Sequence, residues 1–145
     1  SPVVPIAAPV EELVAPASVQ ALKVLVVDDN VDAAQSTVML LQLLGHDARS
    51  AHDGAGAMTA ALDYLPDVVL LDIGLPLIDG LQVARRMRQE PALQHVVLVA
   101  MTGYGQESDR ERAGEAGFNH YLIKPVDFAK VESILSGTAP RIDSG

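Results

Sequence analysis

Cysteine is absent from the 145 residues, and with it go disulfides, thiolate metal sites and cysteine nucleophiles. Any metal site must use oxygen or histidine ligands. Aromatic residues make up only 3% of a chain that is 49% hydrophobic, so the core must be built from Val, Leu, Ile and Ala. That mix suits buried parallel strands and the helices that cover them. Basic residues are scarce: 10 Lys and Arg against 19 Asp and Glu leave a net charge of -9. Surfaces that bind DNA or RNA need clustered cations to displace counterions, so no direct nucleic acid binding is expected and a protein partner is. No apolar run approaches the roughly 18 residues of a membrane span, and the start lacks the basic region of a signal peptide. No membrane contact by this segment is expected, and a cytoplasmic location fits.

What remains is a chain long enough for one core plus tails. Residues 1–21, rich in Pro, Ala and Val without a sustained period, read as an interdomain linker. A domain over 22–137 follows, then a tail over 138–145. Within the domain, short apolar runs end in polar residues: KVLVVDD from Lys23, DVVLLD at 67–72, HVVLVAMT at 95–102 and HYLIKP at 120–125, with the weaker DARSA at 47–51 in second place. Such runs mark buried parallel strands whose carboxyl ends open into loops. Helical stretches lie between them: 31–44 ended by Gly45, 54–64, 80–89 ended before Pro91, 106–116 ended by Gly117, and 128–136 with Asp127 as N-cap. Strict alternation implies an α/β fold, a doubly wound five-stranded parallel sheet in three α/β/α layers with right-handed crossovers.

Ligands of such sheets bind outside the carboxyl ends of the strands, so the residues ending strands carry the function. These are Asp28 and Asp29 after the first strand, Asp72 after the third, Thr102 after the fourth and Lys124 after the fifth. Three converging carboxylates repel one another and call for a cation among them. A hard divalent ion fits, because Mg2+ takes carboxylate and carbonyl oxygens and keeps sites for water and a phosphoryl oxygen. A carboxylate can accept a phosphoryl group when cations neutralise the equatorial oxygens, and Lys124 would be one of them. Thr102 would offer its hydroxyl to a third phosphoryl oxygen, a contact made only when that group is present.

The motifs VVDDN, LLDIGLPLIDG, TGYG and YLIKP, in this order at the ends of these strands, resemble those of response-regulator receiver domains, a CheY-like family. The resemblance covers about residues 22 to 137. It implies a flavodoxin-like (βα)5 fold with strand order 2-1-3-4-5 and a phosphoacceptor role for Asp72 in a two-component phosphorelay. It further implies Mg2+ (or Mn2+) held by Asp28, Asp29, Asp72 and the Gly74 backbone carbonyl, with Lys124 pairing the phosphoryl group. Thr102 and Tyr121 would be the switch residues, and the Lys124-Pro125 bond is often cis in the family. The phosphodonor would be a histidine kinase or a histidine phosphotransfer domain. DIGLP and TGYG, with a linker in front and a short tail behind, point to the C-terminal receiver of a hybrid sensor histidine kinase; a stand-alone receiver is the second choice. Leu77 and Ile78 would be donor contacts. Two other functions compete: an aspartyl-phosphate phosphatase on a related sheet, disfavoured by Gly74 where a second acid is usual, and a vestigial interaction module, disfavoured by the complete acidic set.

Other residues carry blander readings. His46, His52, His95 and His120 lack ligand-like spacing and read as surface or turn histidines. The run HDGAGAM has two glycines but is not expected to lead from a strand into a helix as G-x-G-x-x-G requires, and no G-x-x-x-x-G-K-[ST] occurs, so nucleotide binding is not expected. The arginines of ARRMR read as the solvated side of a helix whose other face is Leu81, Ala84 and Met87.

Overall fold

The computed structural model describes residues 21–73, 80–103 and 107–138. Among them lie five strands, β1 (Lys23–Val27), β2 (Asp47–Ala51), β3 (Val68–Asp72), β4 (Val97–Thr102) and β5 (His120–Ile123). They alternate with α1 (Val31–Leu43), α2 (Gly54–Tyr64), α3 (Gly80–Gln89), α4 (Glu107–Ala116) and α5 (Phe128–Ser136), plus a 3-10 turn at Pro91–Leu93. The strands form one parallel sheet in the order β2-β1-β3-β4-β5. Most of the linker and all but one residue of the tail lie outside the described residues. No helix among the described residues is long and apolar enough to cross a membrane.

Period-two alternation splits each strand between two cores. On one face Val24 and Val26 of β1 pack with Ala34 and Leu41 of α1 and Val131 and Leu135 of α5. On the other, Leu25 and Val27 meet Ala57 and Ala61 of α2, Val83, Ala84 and Met87 of α3, and Ala113 and Ala116 of α4. The result is three layers, with β3 buried along its whole length. Each Val or Leu so buried contributes about 1.5 to 3 kcal/mol.

The Asp127 cap and the glycine ends stand where the sequence put them, and Asn30 and Asp53 supply two further caps. Asn30, Asp53 and Asp127 cap α1, α2 and α5, each side chain accepting from a first-turn N–H. Gly45 and Gly117 follow α1 and α4 with φ of 95° and 109°. At the end of α2 the left-handed position falls on Leu65 (φ 53°), where a glycine is usual. Its side chain packs against the core, which offsets the backbone strain.

Two readings need correction. The run HDGAGAM does lead from β2 into α2; what fails is the fingerprint, since the third glycine position is Thr59 and the loop is closed by Asp53 on the Gly56 N–H at 2.6 Å. In ARRMR, Arg85 and Arg86 are exposed, but Arg88 is half-buried. Its guanidinium donates to the carbonyls of Gly117, Gln94 and Val96 and to Asn119 Oδ1, at 2.7 to 3.0 Å. Arg88 thus ties the end of α3 to the chain entering β4 and β5. A Cβ at Gly117 would stand 2.6 Å from Arg88 Cγ, so that turn needs glycine for space as well as for φ.

Candidate functional site

The carboxyl edge of the sheet gathers the residues that end β1, β3, β4 and β5. Asp28 and Asp72 are 6% and 8% exposed and Thr102 5%, whereas Asp29 lies open to solvent. One carboxylate oxygen from each of Asp28, Asp29 and Asp72 lies within 4.8 Å of the others. Lys124 Nζ donates to Asp72 Oδ2 at 2.9 Å and stands 3.5 Å from Asp28 Oδ2. Burial of that ammonium works to lower its pKa, but the hydrogen bond and charge of Asp72, with the charge of Asp28, outweigh it and leave the pKa raised. Lys124 is therefore held charged among the acids.

Local folding sets this geometry. Parallel pairing continues past the strand ends: Asp28 N–H donates to Ala51 O at 3.1 Å, Ile73 N–H to Met101 O at 3.1 Å, and Lys124 N–H to Thr102 O at 2.7 Å. Asn30 N–H donates to Asp28 Oδ1 at 3.0 Å while the Asn30 side chain starts α1. The Lys124-Pro125 bond is cis. Tyr121 is half-buried on β5, with the Arg110 guanidinium 5.2 Å from its ring centroid.

Of the residues named from sequence, Asp28, Asp29, Asp72 and Lys124 meet directly. Thr102 sits at the adjacent strand end, and Tyr121 lies two positions before Ile123, the β5 partner of Thr102. Gly74, Leu77 and Ile78 lie outside the described residues. Gly80 was given no role from the sequence, and His52 was read only as a surface or turn histidine. Gly80 opens α3 so close to β3 that a Cβ there would stand 2.6 Å from Asp72 O and 2.4 Å from Ile73 Cα; the glycine of LIDG was the available signal. His52 follows β2 at the same sheet edge, its Nδ1 3.2 Å from Asp28 O. Its position directly after a strand was the signal. His46, in contrast, accepts the Leu22 N–H at 3.1 Å at the opposite edge, and burial lowers its pKa.

Three carboxylates in oxygen-ligand reach of one another fit a hard divalent cation, and the ammonium beside them fits a second anionic group. The profile of the response regulator receiver domain family matches residues 24–136. The chain belongs to the receiver domain family. Among solved structures, the receiver domain of the sensor histidine kinase PA1611 of Pseudomonas aeruginosa PAO1 is 30% identical, with a TM-score of 0.74 over 81% of this chain and 97% of that one. It has a magnesium ion coordinated in its active-site cleft. The polar-differentiation response regulator DivK of Brucella anthropi is 29% identical over 78% of this chain and 93% of its own length. RpaA of Synechocystis, a DNA-binding transcriptional regulator, is 29% identical over 80% of this chain. This receiver spans 50% of RpaA's length.

Proposed function

We propose that this receiver accepts a phosphoryl group from phosphohistidine on Asp72 and switches conformation in response. The observation that carries the reading is the burial of Asp72 against Lys124 at 2.9 Å with Asp28 and Asp29 in reach. In the transfer a bond forms from an Asp72 carboxylate oxygen to phosphorus as the phosphorus–nitrogen bond to the donor imidazole breaks, and the ring nitrogen takes up a proton. Lys124 pairs with a phosphoryl oxygen, and Thr102 donates its hydroxyl to another. Asp28, Asp29, Asp72 and the Gly74 carbonyl would hold Mg2+ or Mn2+, which when bound neutralises charge on the phosphoryl oxygens.

With Mg2+ and a small acyl phosphate, intact mass should show one added phosphoryl group, labile in base. Asp72→Asn should gain none; equal rate and stoichiometry in that variant would refute the assignment.

The switch we propose gives Thr102 a new partner on phosphorylation, after which Tyr121 leaves Arg110 and turns inward, changing the face formed by α4, β5 and α5. A beryllium fluoride mimic should perturb resonances around Tyr121; changes confined to the acidic cluster would limit the event to local binding. For context we favour a receiver attached to a sensor histidine kinase, working in the cytoplasm with a kinase or phosphotransfer domain as donor. The similarity to the PA1611 receiver supports this. The net charge of -9 supports the reading that this segment leaves any nucleic acid contact to other domains.

A further inference from the structure

We infer that His52 is a positioning residue for the acidic pair, fixing the Asp28–Asp29 peptide through a hydrogen bond from its ring to the Asp28 carbonyl. The inference rests on the proposed cation site and concerns how that site is preorganised.

The loop from β1 to α1 must hold two adjacent like charges at one place. Its main chain is held from several sides. Asp28 N–H donates to Ala51 O, Asn30 N–H to Asp28 Oδ1, and Ala34 N–H to Asn30 O, at 3.0 to 3.1 Å. The Asp28 carbonyl faces the His52 ring, with Nδ1 3.2 Å away. A carbonyl oxygen can only accept, so Nδ1 must carry the proton. The two main-chain polar groups of Asp28 are thus gripped by consecutive residues of one chain segment, Ala51 through its carbonyl and His52 through its ring. The peptide whose carbonyl His52 grips is the one that leads to Asp29, the exposed acid of the cluster. Without that grip this peptide could rotate, and the Asp29 carboxylate would lose its approach to Asp28 and Asp72. Partners that orient metal-binding groups in this way typically govern affinity by about 10- to 100-fold.

His52 is half-buried and α2 begins with its own cap, Asp53, so neither strand nor helix requires a ring at this position. Asn can place an N–H donor near the His Nδ1 position, while Phe keeps the ring and removes the donor.

The experiment is calorimetric titration of Mg2+ into the whole chain, with melting temperatures in chelator alongside. His52→Phe should weaken Mg2+ binding about tenfold or more, with His52→Asn within about threefold of the unaltered chain. Melting in chelator should be similar for all three. Mg2+ binding by His52→Phe within twofold of the unaltered chain would overturn the inference, as would equal weakening by Phe and Asn. An unaltered chain that fails to bind Mg2+ would instead remove the cation site itself. A measurement independent of variant folding is the 15N shift pattern of His52 at mildly alkaline pH. The Nδ1–H tautomer is expected, and an Nε2–H tautomer would overturn the proposed hydrogen bond.

Discussion

Asp67 and Asp72 stand at opposite ends of β3, both buried, and their surroundings differ in kind. Asp67 lies at the amino edge, where its carboxylate accepts the Lys23 N–H at 2.8 Å and its own N–H donates to Lys23 O at 2.7 Å. Nearby, Arg88 spends its donors on main-chain carbonyls and Asn119, whose Oδ1 also accepts the Leu98 N–H. At the carboxyl edge, Asp72 faces two further carboxylates and an ammonium. Charge at the amino edge is consumed by the backbone and stabilises the sheet. Charge at the carboxyl edge is concentrated, with three carboxylates and an ammonium in mutual reach, the kind of arrangement that clusters at functional sites.

The largest expected effect separates the two acids. Asp72→Asn should abolish phosphoryl uptake, while Asp67→Ala should leave uptake within about twofold and lower stability by about 1 kcal/mol, the usual net worth of a lost hydrogen bond at a part-buried donor. Mass spectrometry and chemical denaturation read the two outcomes. A loss of uptake in Asp67→Ala at full folding would break the division of roles.

Next comes the cation. The proposed Mg2+ site exists in the native acidic cluster and not in the unfolded chain, so Mg2+ at about 100 times its Kd should stabilise the fold by about 2.7 kcal/mol, read as a rise in melting temperature. Asp29→Ala should lose that rise and Asp67→Ala should keep it. An equal rise in Asp29→Ala would remove that residue from the ligand set.

Arg88→Met tests the amino edge alone. It should cost about 2 kcal/mol through orphaned carbonyls, with Mg2+ affinity and phosphoryl uptake unchanged in the folded fraction. A selective loss of Mg2+ binding would mean the two edges are coupled.

The smallest effect belongs to Tyr64, also at the amino edge, with the Arg49 guanidinium 4.2 Å and Lys23 Nζ 5.5 Å from its ring centroid. Its hydroxyl is buried, and the Asp47 carboxylate is near enough to act on it by hydrogen bonding and by charge. Burial first, and Asp47 second, raise its pKa above the ordinary 10.0. The fold therefore holds a proton that the unfolded chain releases, so this contribution is fully present below pH 10.0 and fades as pH rises through the raised value. Tyr64→Phe should flatten the alkaline decline in denaturation midpoint and change neutral stability by under about 1 kcal/mol. A decline as steep as in the unaltered chain would assign it to other groups.

Strand ends were legible because a buried parallel strand is a continuous apolar run, and the first polar residue at its carboxyl end marks where the strand opens into a loop. That is how Asp28, Asp72 and Lys124 could be named from the sequence. Helix limits were legible for a similarly local reason where they were read: Asp127 accepts from an N–H group two residues away, and a C-terminal glycine acts within its own turn. Arg88 was misread because its partners, Val96, Gly117 and Asn119, are 8 to 31 residues distant and no local pattern distinguishes it from the exposed Arg85 and Arg86. His52 was read as a surface or turn histidine, and Gly80 given no role, for the same cause, since each matters through a neighbour brought up by the sheet or by helix packing.

Local chemistry in the chain determined which residues alternate, where elements begin and end, and which acids, hydroxyl and amine stand at the strand tips. Only the tertiary structure decided which tips become neighbours. The order β2-β1-β3-β4-β5 sets β3 between β1 and β4 and so brings Asp28 and Asp29 to Asp72, 44 and 43 positions later in the chain, and the packing of β5 beyond β4 returns Lys124 to them. Strand order follows from how helices share the two faces of a twisted sheet, a collective packing free energy that no short stretch of sequence contains.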